Sequence, residues 1–259
     1  MPTRADTAPL RAAVSESLFS ERRLRAALLL LAVLWLVCAV VLPMAQIAGI
    51  SLRNDHGVWV GLANFKTYFT NPALSTSLWN SLYVSAATTL VSVPLAFVFA
   101  YALTRTDIPL KGFFRGLAMA PLFAPTLLYG ITLVYLFGRK GLVTTGFFGF
   151  FSRVLGFDPS VDIGLYGKVG IILSEIIFTF PQAMLILAIA LRATDARLYE
   201  AAQALGASRI RTFFSVTLPG VKYGLLSAVC VSLILCFTDF GAPKVVGGQF
   251  NVLATDIYK

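Results

Sequence analysis

The sequence predicts an all-α bundle of transmembrane helices, and two observations support this fold class. First, the 259 residues are 58% hydrophobic and only 13% charged, whereas soluble domains carry about 25% charged residues. Second, five stretches approach or exceed the roughly 20 apolar residues that a membrane-spanning helix needs. Composition and length therefore both indicate an integral membrane protein.

The five predicted spans cover residues 26–50, 80–103, 116–137, 169–191 and 223–240. The first follows the basic run "ERRLR" and begins like a signal peptide. Its apolar run is too long for one, and more spans follow, so it is interpreted as an uncleaved first helix. Three of the spans contain prolines at which we predict kinks: Pro94, Pro121, Pro125 and Pro181.

The distribution of positive charge predicts the orientation. With the N-terminus in the cytoplasm, the inner segments 1–25, 104–115 and 192–222 hold 13 of the 21 Lys and Arg residues. Basic residues concentrate on the cytoplasmic side of membrane proteins. The sequence thus predicts a cytoplasmic segment over residues 1–25 and a membrane domain over residues 26–259. The outer segment 144–160, "TTGFFGFFSRVLGFDPS", fits either an amphipathic helix lying in the interface or an ordinary loop.

A polar, basic insertion between the fourth and fifth spans predicts a helix, a turn and a second helix. Thr194 or Asp195 can cap the first helix, and Gly206 follows its last periodic residue, where a left-handed cap is expected. Ser208 can cap the second helix, which Pro219 is expected to close. One face of the first helix is apolar at helical spacing and is formed by Leu198, Ala201, Ala202 and Leu205. Such a face normally docks on another protein or on the membrane surface; an interfacial helix pair without a partner is the alternative.

This insertion resembles the EAA loop of ABC-transporter importer permeases of type I. The family pattern is E-A-A, three residues, G, nine residues, I, one residue, L-P. The matching positions are Glu200, Ala201, Ala202, Gly206, Val216, Leu218 and Pro219. Only Val216 departs from the pattern, by replacing isoleucine. We call residues 194–219 the EAA loop.

The resemblance implies a permease subunit in the bacterial inner membrane. In that family the EAA loop forms coupling helices that dock on a cytoplasmic ATPase dimer, which holds the ATP and Mg²⁺; no cofactor is expected in this chain. The implied partners also include a second permease half and an extracytoplasmic solute-binding protein. The segments "GIILSEIIFTFPQAML" and "CFTDFGAPKVVGGQFNVLATDIYK" look like permeases for 2-aminoethylphosphonate and ferric iron. This resemblance favours 2-aminoethylphosphonate as cargo, then ferric iron, then a polyamine.

Other function classes fit the residues less well. A phosphate-binding loop is not expected at "GLYGKVG", since Val169 replaces its Ser or Thr and Asp162 its first glycine. The sole histidine is His56, and neither a metal site nor a catalytic set is predicted. The positive charges flank apolar spans, which favours anionic lipid over nucleic acid. The alternative function is an ion-coupled secondary transporter.

Four polar residues are candidates for a substrate pathway: Glu175, Thr179, Gln182 and Asp239. A carboxylate such as Glu175 at lipid depth is costly and should face the bundle interior or a wet cavity. Two roles stay open for it: it could meet a cationic amine of the cargo, or it could bond neighbouring backbone and hydroxyl groups. Because five spans place the termini on opposite sides, we also expect the native protein to continue beyond Lys259 through at least one more span and a second permease half.

Overall fold

The computed structural model describes residues 8–156 and 162–257. Residues 1–7 of the predicted cytoplasmic segment and residues 157–160 of the aromatic outer segment lie outside that part. The chain forms two compact units, Met1–Thr70 and Asn71–Lys259. The described residues are helical apart from turns, loops and one isolated β-bridge between Arg53 and Trp59. The predicted all-α fold class is confirmed.

The described part of the first unit contains three helices, of which the first two form one continuous helical run. Its helices are α1 (Ala8–Leu36), α2 (Leu42–Ser51) and α3 (Ala63–Thr70), and a π-helical turn, Val37–Val41, joins the first two. From Glu21 to Ser51 the helix is long and apolar enough to cross a membrane. Its most apolar 18-residue stretch has a mean hydropathy of 2.8, and none of the residues in that stretch is buried. A helix that is apolar all round suits a lipid environment.

The second unit is built around three packed helices, which are α4, α8 and α12. Its helices are α4 (Pro72–Arg105), α5 (Lys111–Met119), α6 (Thr126–Phe137), α7 (Gly146–Leu155), α8 (Lys168–Ala193), α9 (Ala196–Ala204), α10 (Arg209–Thr212), α11 (Leu218–Gly220), α12 (Lys222–Thr238), α13 (Gly241–Val246) and α14 (Leu253–Ile257). The main apolar core lies between α4, α8 and α12, with Ala96, Leu187 and Ala228 fully enclosed. A second cluster joins α4, α6, α8 and α13 around Ile171 and Val246.

Small residues set the spacing within this bundle. A Cβ added to Gly224 of α12 would collide with the side chain of Ala190 on α8. A Cβ on Gly130 of α6 would lie only 2.9 Å from Cβ of Val245 on α13. Close backbone approach through glycine and alanine is the usual way in which helices associate in membranes, where van der Waals packing is a main attractive force.

Among the described residues, three helices are individually long and apolar enough to span a membrane: Glu21–Ser51, Leu74–Arg105 and Lys168–Ala193. Two bent pairs raise the number to as many as five, because Lys111–Phe123 with Thr126–Phe137 and Arg209–Gly220 with Lys222–Thr238 each pass the same test together. The five predicted spans correspond to these five candidates.

The third predicted span differs most from expectation, because it is broken rather than kinked. Its two halves meet at 106°. Ala124 and Pro125 both have extended backbone conformations at the break, since a proline disfavours the helical conformation in the residue before it. Pro94 and Pro181, in contrast, lie inside continuous helices.

Candidate functional site: the EAA loop and the polar interior behind it

The helix–turn–helix predicted for the EAA loop is confirmed, together with its caps. Asp195, rather than Thr194, caps α9 by accepting a hydrogen bond from the N–H of Arg197 at 2.9 Å. Ser208 caps α10 in the same way, by accepting from the N–H of Arg211 at 3.3 Å. Both caps satisfy backbone donors that a helix start leaves free.

The turn is a Schellman motif centred on Gly206, whose φ is +69°. The N–H of Gly206 donates to the carbonyl of Gln203, and the N–H of Ala207 donates to that of Ala202, each at 2.9 Å. This pair of bonds defines the motif and requires a left-handed residue at the glycine position. A Cβ added to Gly206 would meet no atom within 4 Å, so the glycine is required by the backbone conformation and not by lack of space.

The second helix of the loop continues past Pro219, which corrects the predicted end. A π-helical turn, Phe213–Thr217, connects α10 to α11, and the chain bends by 64° only where α12 begins. The N–H of Leu218 donates to the carbonyl of Phe213, which widens the helix just before the proline ring. The π turn before Pro43 in α2 has the same arrangement. A proline ring clashes with a carbonyl of the preceding turn in a regular α-helix, and the widened turn relieves that clash.

The apolar face predicted for α9 is mostly uncovered. Ala202 is buried, whereas the side chains of Leu198 and Leu205 are 51% and 87% exposed. On the second helix, Ile210 and Phe214 are 73% and 63% exposed. The loop thus presents four large apolar side chains outside the bundle, as expected for a docking surface.

The remaining EAA-motif residues divide between the surface and the bundle. Glu200, Ala201 and Pro219 are exposed, while Val216 and Leu218 are half-buried. Within the described part of the chain, Glu200 forms no ion pair with Arg197 or Arg209, because the ion pairs found there are Arg25–Glu21 and Lys111–Asp107. Its carboxylate is therefore accessible to a partner.

Arg105 ties the loop to the bundle, and this link was not predicted. Its guanidinium donates to the carbonyl of Leu191 at 2.5 Å and to that of Thr194 at 3.5 Å. It also lies over the ring of Tyr199, 4.3 Å from the centroid. The hydroxyl of Tyr199 in turn donates to Thr217 Oγ1 at 3.1 Å. One side chain at the end of α4 thereby holds the end of α8 and both helices of the loop.

A polar cavity of about 530 Å³ lies between this link and the loop. Arg105, Tyr199, Gln203, Arg209 and Thr217 contribute polar atoms to its lining. Beside the cavity, the ring of Phe213 in the loop packs on the rings of Phe97 and Tyr101 of α4, at centroid distances of 5.9 and 6.1 Å. We infer that movement of the loop reaches α4 through two contacts, Arg105 with Tyr199 and Phe213 with the two aromatic rings of α4.

The interior of the second unit contains a polar seam that runs through the helix core. Its members are small hydroxyl, thiol and carboxyl side chains, all buried: Ser77, Ser81, Ser85, Thr88 and Ser92 on α4; Ser174, Glu175 and Thr179 on α8; Ser232 and Cys236 on α12. On α4 they follow helical spacing and occupy one face. This spacing is visible in the sequence and could have revealed the seam, which sequence analysis missed apart from Glu175 and Thr179.

Glu175 lies at the centre of this seam and is 0% exposed. It faces the bundle interior, as predicted for a carboxylate at lipid depth. The carboxyl of Asp239 and the thiol of Cys236 lie beside it, without meeting hydrogen-bond geometry. Both carboxyl oxygens of Glu175, like the hydroxyls of Thr88, Ser174 and Ser232, have no hydrogen-bond partner in the described residues. Neither of the two roles left open for Glu175 is decided by these contacts.

The other pathway candidates are spread along the same helices. The hydroxyl of Thr179 is hydrogen-bonded to the hydroxyl of Ser92 at 2.9 Å and to the carbonyl of Glu175 at 2.8 Å. Gln182, one turn further along α8, is half-buried and its side-chain oxygen lacks a partner within the described chain. Asp239 ends α12 and accepts from the N–H of Ala242, at 2.9 Å, at the start of α13. The structure therefore brings Glu175 and Asp239 together but leaves Gln182 apart.

The chain matches a family described as "Binding-protein-dependent transport system inner membrane component" over residues 92–258. This match covers more than half of the chain, including α8, the EAA loop and α12. The chain belongs to this family. Inner-membrane, multi-pass permeases of binding-protein-dependent ABC importers form the family, which confirms the resemblance read from the EAA motif.

Two curated relatives are similar to this chain over about 70% of its length. A spermidine/putrescine permease PotC homolog of Mycoplasma genitalium is 33% identical over 184 residues, which is 71% of this chain and 58% of that protein. A putative ferric permease, FbpB 1, of Haemophilus influenzae is 33% identical over 69% of this chain and 27% of its own length. This chain therefore spans 58% of the length of the first relative and 27% of the length of the second.

The fold also resembles that of a bacterial ABC transporter involved in alginate import. In its crystal structure the matching chain has a TM-score of 0.69 at 19% identity, with coverage of 92% of this chain and 84% of that one. A second structure, in complex with an alginate-bound periplasmic protein, gives a TM-score of 0.67 at 19% identity, with coverage of 92% and 83%. At this identity the likeness shows a shared fold only.

Proposed function

We propose that this chain is the transmembrane permease subunit of a binding-protein-dependent ABC importer. It carries a small polar solute inward, and separate subunits hydrolyse the ATP. The observation that supports this function is the EAA loop: a rigidly capped helix–turn–helix with four exposed apolar side chains and a free carboxylate on Glu200. An exposed apolar face of this kind marks a site where another protein or a membrane surface binds.

The proposed partners occupy opposite sides of the membrane. An ATPase dimer binds the EAA loop in the cytoplasm, which places the N-terminus on the same side. A second permease half completes the pathway, and an extracytoplasmic solute-binding protein delivers the cargo. The basic residues at the EAA-loop end support this orientation by the positive-inside rule.

The cargo is proposed to carry a positively charged group. Glu175 and Asp239 face each other inside the bundle, and Lys, Arg and His are absent from the seam residues around them. Two neighbouring carboxyl groups favour a cation between them, because its charge offsets their mutual repulsion when both ionise. The three candidates, 2-aminoethylphosphonate, ferric iron and a polyamine, all bear such charge. Resemblance favours the first, and two relatives named for polyamines and ferric iron support the others.

In this proposal, Glu175, Thr179, Gln182 and Asp239 line the pathway only when the helices separate. Because Glu175 is fully enclosed between α4, α8 and α12, cargo can reach it only after α12 moves away from α8. Measuring which of the three candidates binds the partner solute-binding protein would identify the cargo.

The experiment that tests the function is copurification of the ATPase with variants of the exposed face. We expect Leu205→Asp to reduce ATPase retention at least tenfold, because a fully desolvated leucine contributes about 1.5–3 kcal/mol. Leu110→Asp is the matched control, since Leu110 is 72% exposed but lies at the start of α5, outside the loop. Equal retention by both variants would refute the docking role of the loop.

A further inference from the structure

A small basic cavity lies beside the EAA-loop end of the helix core, separate from the loop and from the polar seam. Its volume is about 140 Å³. This is smaller than the roughly 300–1,000 Å³ of whole-metabolite sites and suits a single phosphate-sized group. The end of α4, the start of α5 and the last turns of α8 form its walls, through Leu103, Thr104, Lys111, Gly112, Arg115, Met184, Leu185, Ala188 and Arg192.

The charged side chains that line the cavity are all basic. Lys111, Arg115 and Arg192 line it, and its lining contains no acidic side chain. Outside the lining, Asp107 pairs with Lys111 at 3.3 Å. Arg115 and Arg192 take part in neither ion pair found in the described residues. Their guanidinium groups are thus available to an anion, and guanidinium groups bind phosphate in a bidentate manner.

The surroundings of the cavity are apolar on two sides. Its floor contains Met184 and Ala188, which are only 1% and 8% exposed. On α5, Phe113 and Leu117 are 63% and 61% exposed, although Lys111 and Arg115 share that short helix. A helix with apolar side chains next to basic ones lies in the membrane interface, where its cations meet lipid headgroups.

We propose that this cavity binds the phosphate of an anionic phospholipid, with Arg115 and Arg192 holding the headgroup and Lys111 at the rim. The exposed apolar residues of α5 and the apolar floor place the cavity at the boundary of the bilayer, so its phosphate comes from lipid rather than from solution. Basic pockets between membrane helices on the cytoplasmic side bind anionic headgroups in this way. The bound lipid clamps α5 against α4 and α8.

The test measures lipid retention on the full chain in detergent by native mass spectrometry. The probes are phosphatidylglycerol and phosphatidylcholine with identical acyl chains, plus inorganic phosphate as a competitor. We expect phosphatidylglycerol to bind preferentially, and Arg115→Gln combined with Arg192→Gln to weaken it about thirtyfold, since each basic residue near a lipid surface contributes about fivefold. Arg197→Gln combined with Arg211→Gln is the control, which removes the same charge from exposed positions outside the cavity.

A second variant tests the cavity without changing charge. A Cβ added to Gly112 would meet no atom within 4 Å, so Gly112→Met can fold and place its side chain at the cavity wall. We expect it to lower phosphatidylglycerol retention as well. Three results would each overturn the proposal: equal losses in the control, equal retention of phosphatidylcholine, or displacement of the lipid by millimolar inorganic phosphate.

Discussion

The EAA loop exposes apolar side chains, whereas the polar seam buries polar side chains. The loop holds leucine, isoleucine and phenylalanine in the open. The seam holds carboxyl and hydroxyl groups in the interior, several of them without a hydrogen-bond partner in the described residues. Exposed apolar area is removed from water by a partner that binds from outside. An enclosed polar group without a partner is costly, and cargo can supply a partner only after the surrounding helices separate.

From this difference we infer that the EAA loop and the polar seam have separate functions. Substitutions in the loop should leave the folded bundle intact and impair its communication with the ATPase. Substitutions in the seam should change stability or cargo handling while the ATPase still binds. Four substitutions test this division, from the largest expected effect to the smallest.

Gly206→Val should abolish coupling while the protein stays abundant in the membrane. Because Gly206 has φ +69° and open space around it, the loss comes from backbone strain alone, about 1–2 kcal/mol for alanine and more for a β-branched residue. We expect uptake to fall at least tenfold, and the ATPase either to dissociate or to hydrolyse ATP without response to the loaded binding protein. Copurification and stimulated hydrolysis measure this.

The matched control for that substitution is Gly116→Val in α5. Gly116 also has open space for a Cβ, but its φ lies outside the left-handed region. It should retain coupling. Unchanged coupling in Gly206→Val would mean that the EAA loop does not transmit the ATPase signal. The proposed division of function between the loop and the seam would then fail.

Glu175→Gln should lower uptake about tenfold without lowering thermal stability. The amide removes one of two facing carboxyl groups, which relieves their repulsion and the cost of a charge at lipid depth, about 2.5–3.5 kcal/mol for an acid on insertion scales. It also removes half of the attraction for a cationic cargo. Transport assays and melting curves should be compared with Asp239→Asn. If uptake and cargo preference stay unchanged, Glu175 has the structural role and the cation proposal fails.

Arg105→Lys should weaken ATPase stimulation a few-fold, a smaller effect than that of Gly206→Val. Lysine keeps the charge but cannot stack on Tyr199 and donate to two carbonyls at once. Cation–π contacts contribute about 0.5–1 kcal/mol. Arg211→Lys, on the exposed side of α10, should be neutral. Equal stimulation in both variants would show that the loop reaches α4 by another route.

The sequence predicts some parts of this molecule closely. The second and fourth spans are predicted at residues 80–103 and 169–191, inside the observed Leu74–Arg105 and Lys168–Ala193, because hydrocarbon thickness fixes how many apolar residues a span needs. The caps at Asp195 and Ser208 and the turn at Gly206 are predictable because each depends on a single residue and its immediate neighbours.

Other parts depend on residues that are distant in sequence. Arg105 and Tyr199 are 94 positions apart, so their contact follows from helix packing that no local pattern specifies.

The break in the third span is a second feature that a local pattern does not specify. Prolines alone predict a disturbance, but Pro94 and Pro181 lie within continuous helices whereas Pro125 starts a new one. The bundle around each proline decides the outcome, since neighbouring helices can satisfy the freed carbonyls.

The smallest effect is expected from Thr179→Val, which tests whether the seam is held by its hydrogen bonds. The hydroxyl of Thr179 joins α8 to α4 through Ser92 at 2.9 Å, and valine has the same shape without a donor. Hydrogen bonds between membrane helices average about 0.6 kcal/mol, which corresponds to a shift in Tm of roughly 1–3 °C for a chain of this size. ATPase binding should be unchanged.

Two comparisons make that small shift interpretable. Ser92→Ala should lower Tm by a similar amount, and the double variant should cost less than the sum of the two, because both single changes remove the same bond. Gly206→Val provides a contrasting profile, because it should abolish coupling, which neither seam variant should affect. Should Thr179→Val instead release the ATPase while Tm stays constant, the seam would be part of the coupling route, and the two regions would act as one.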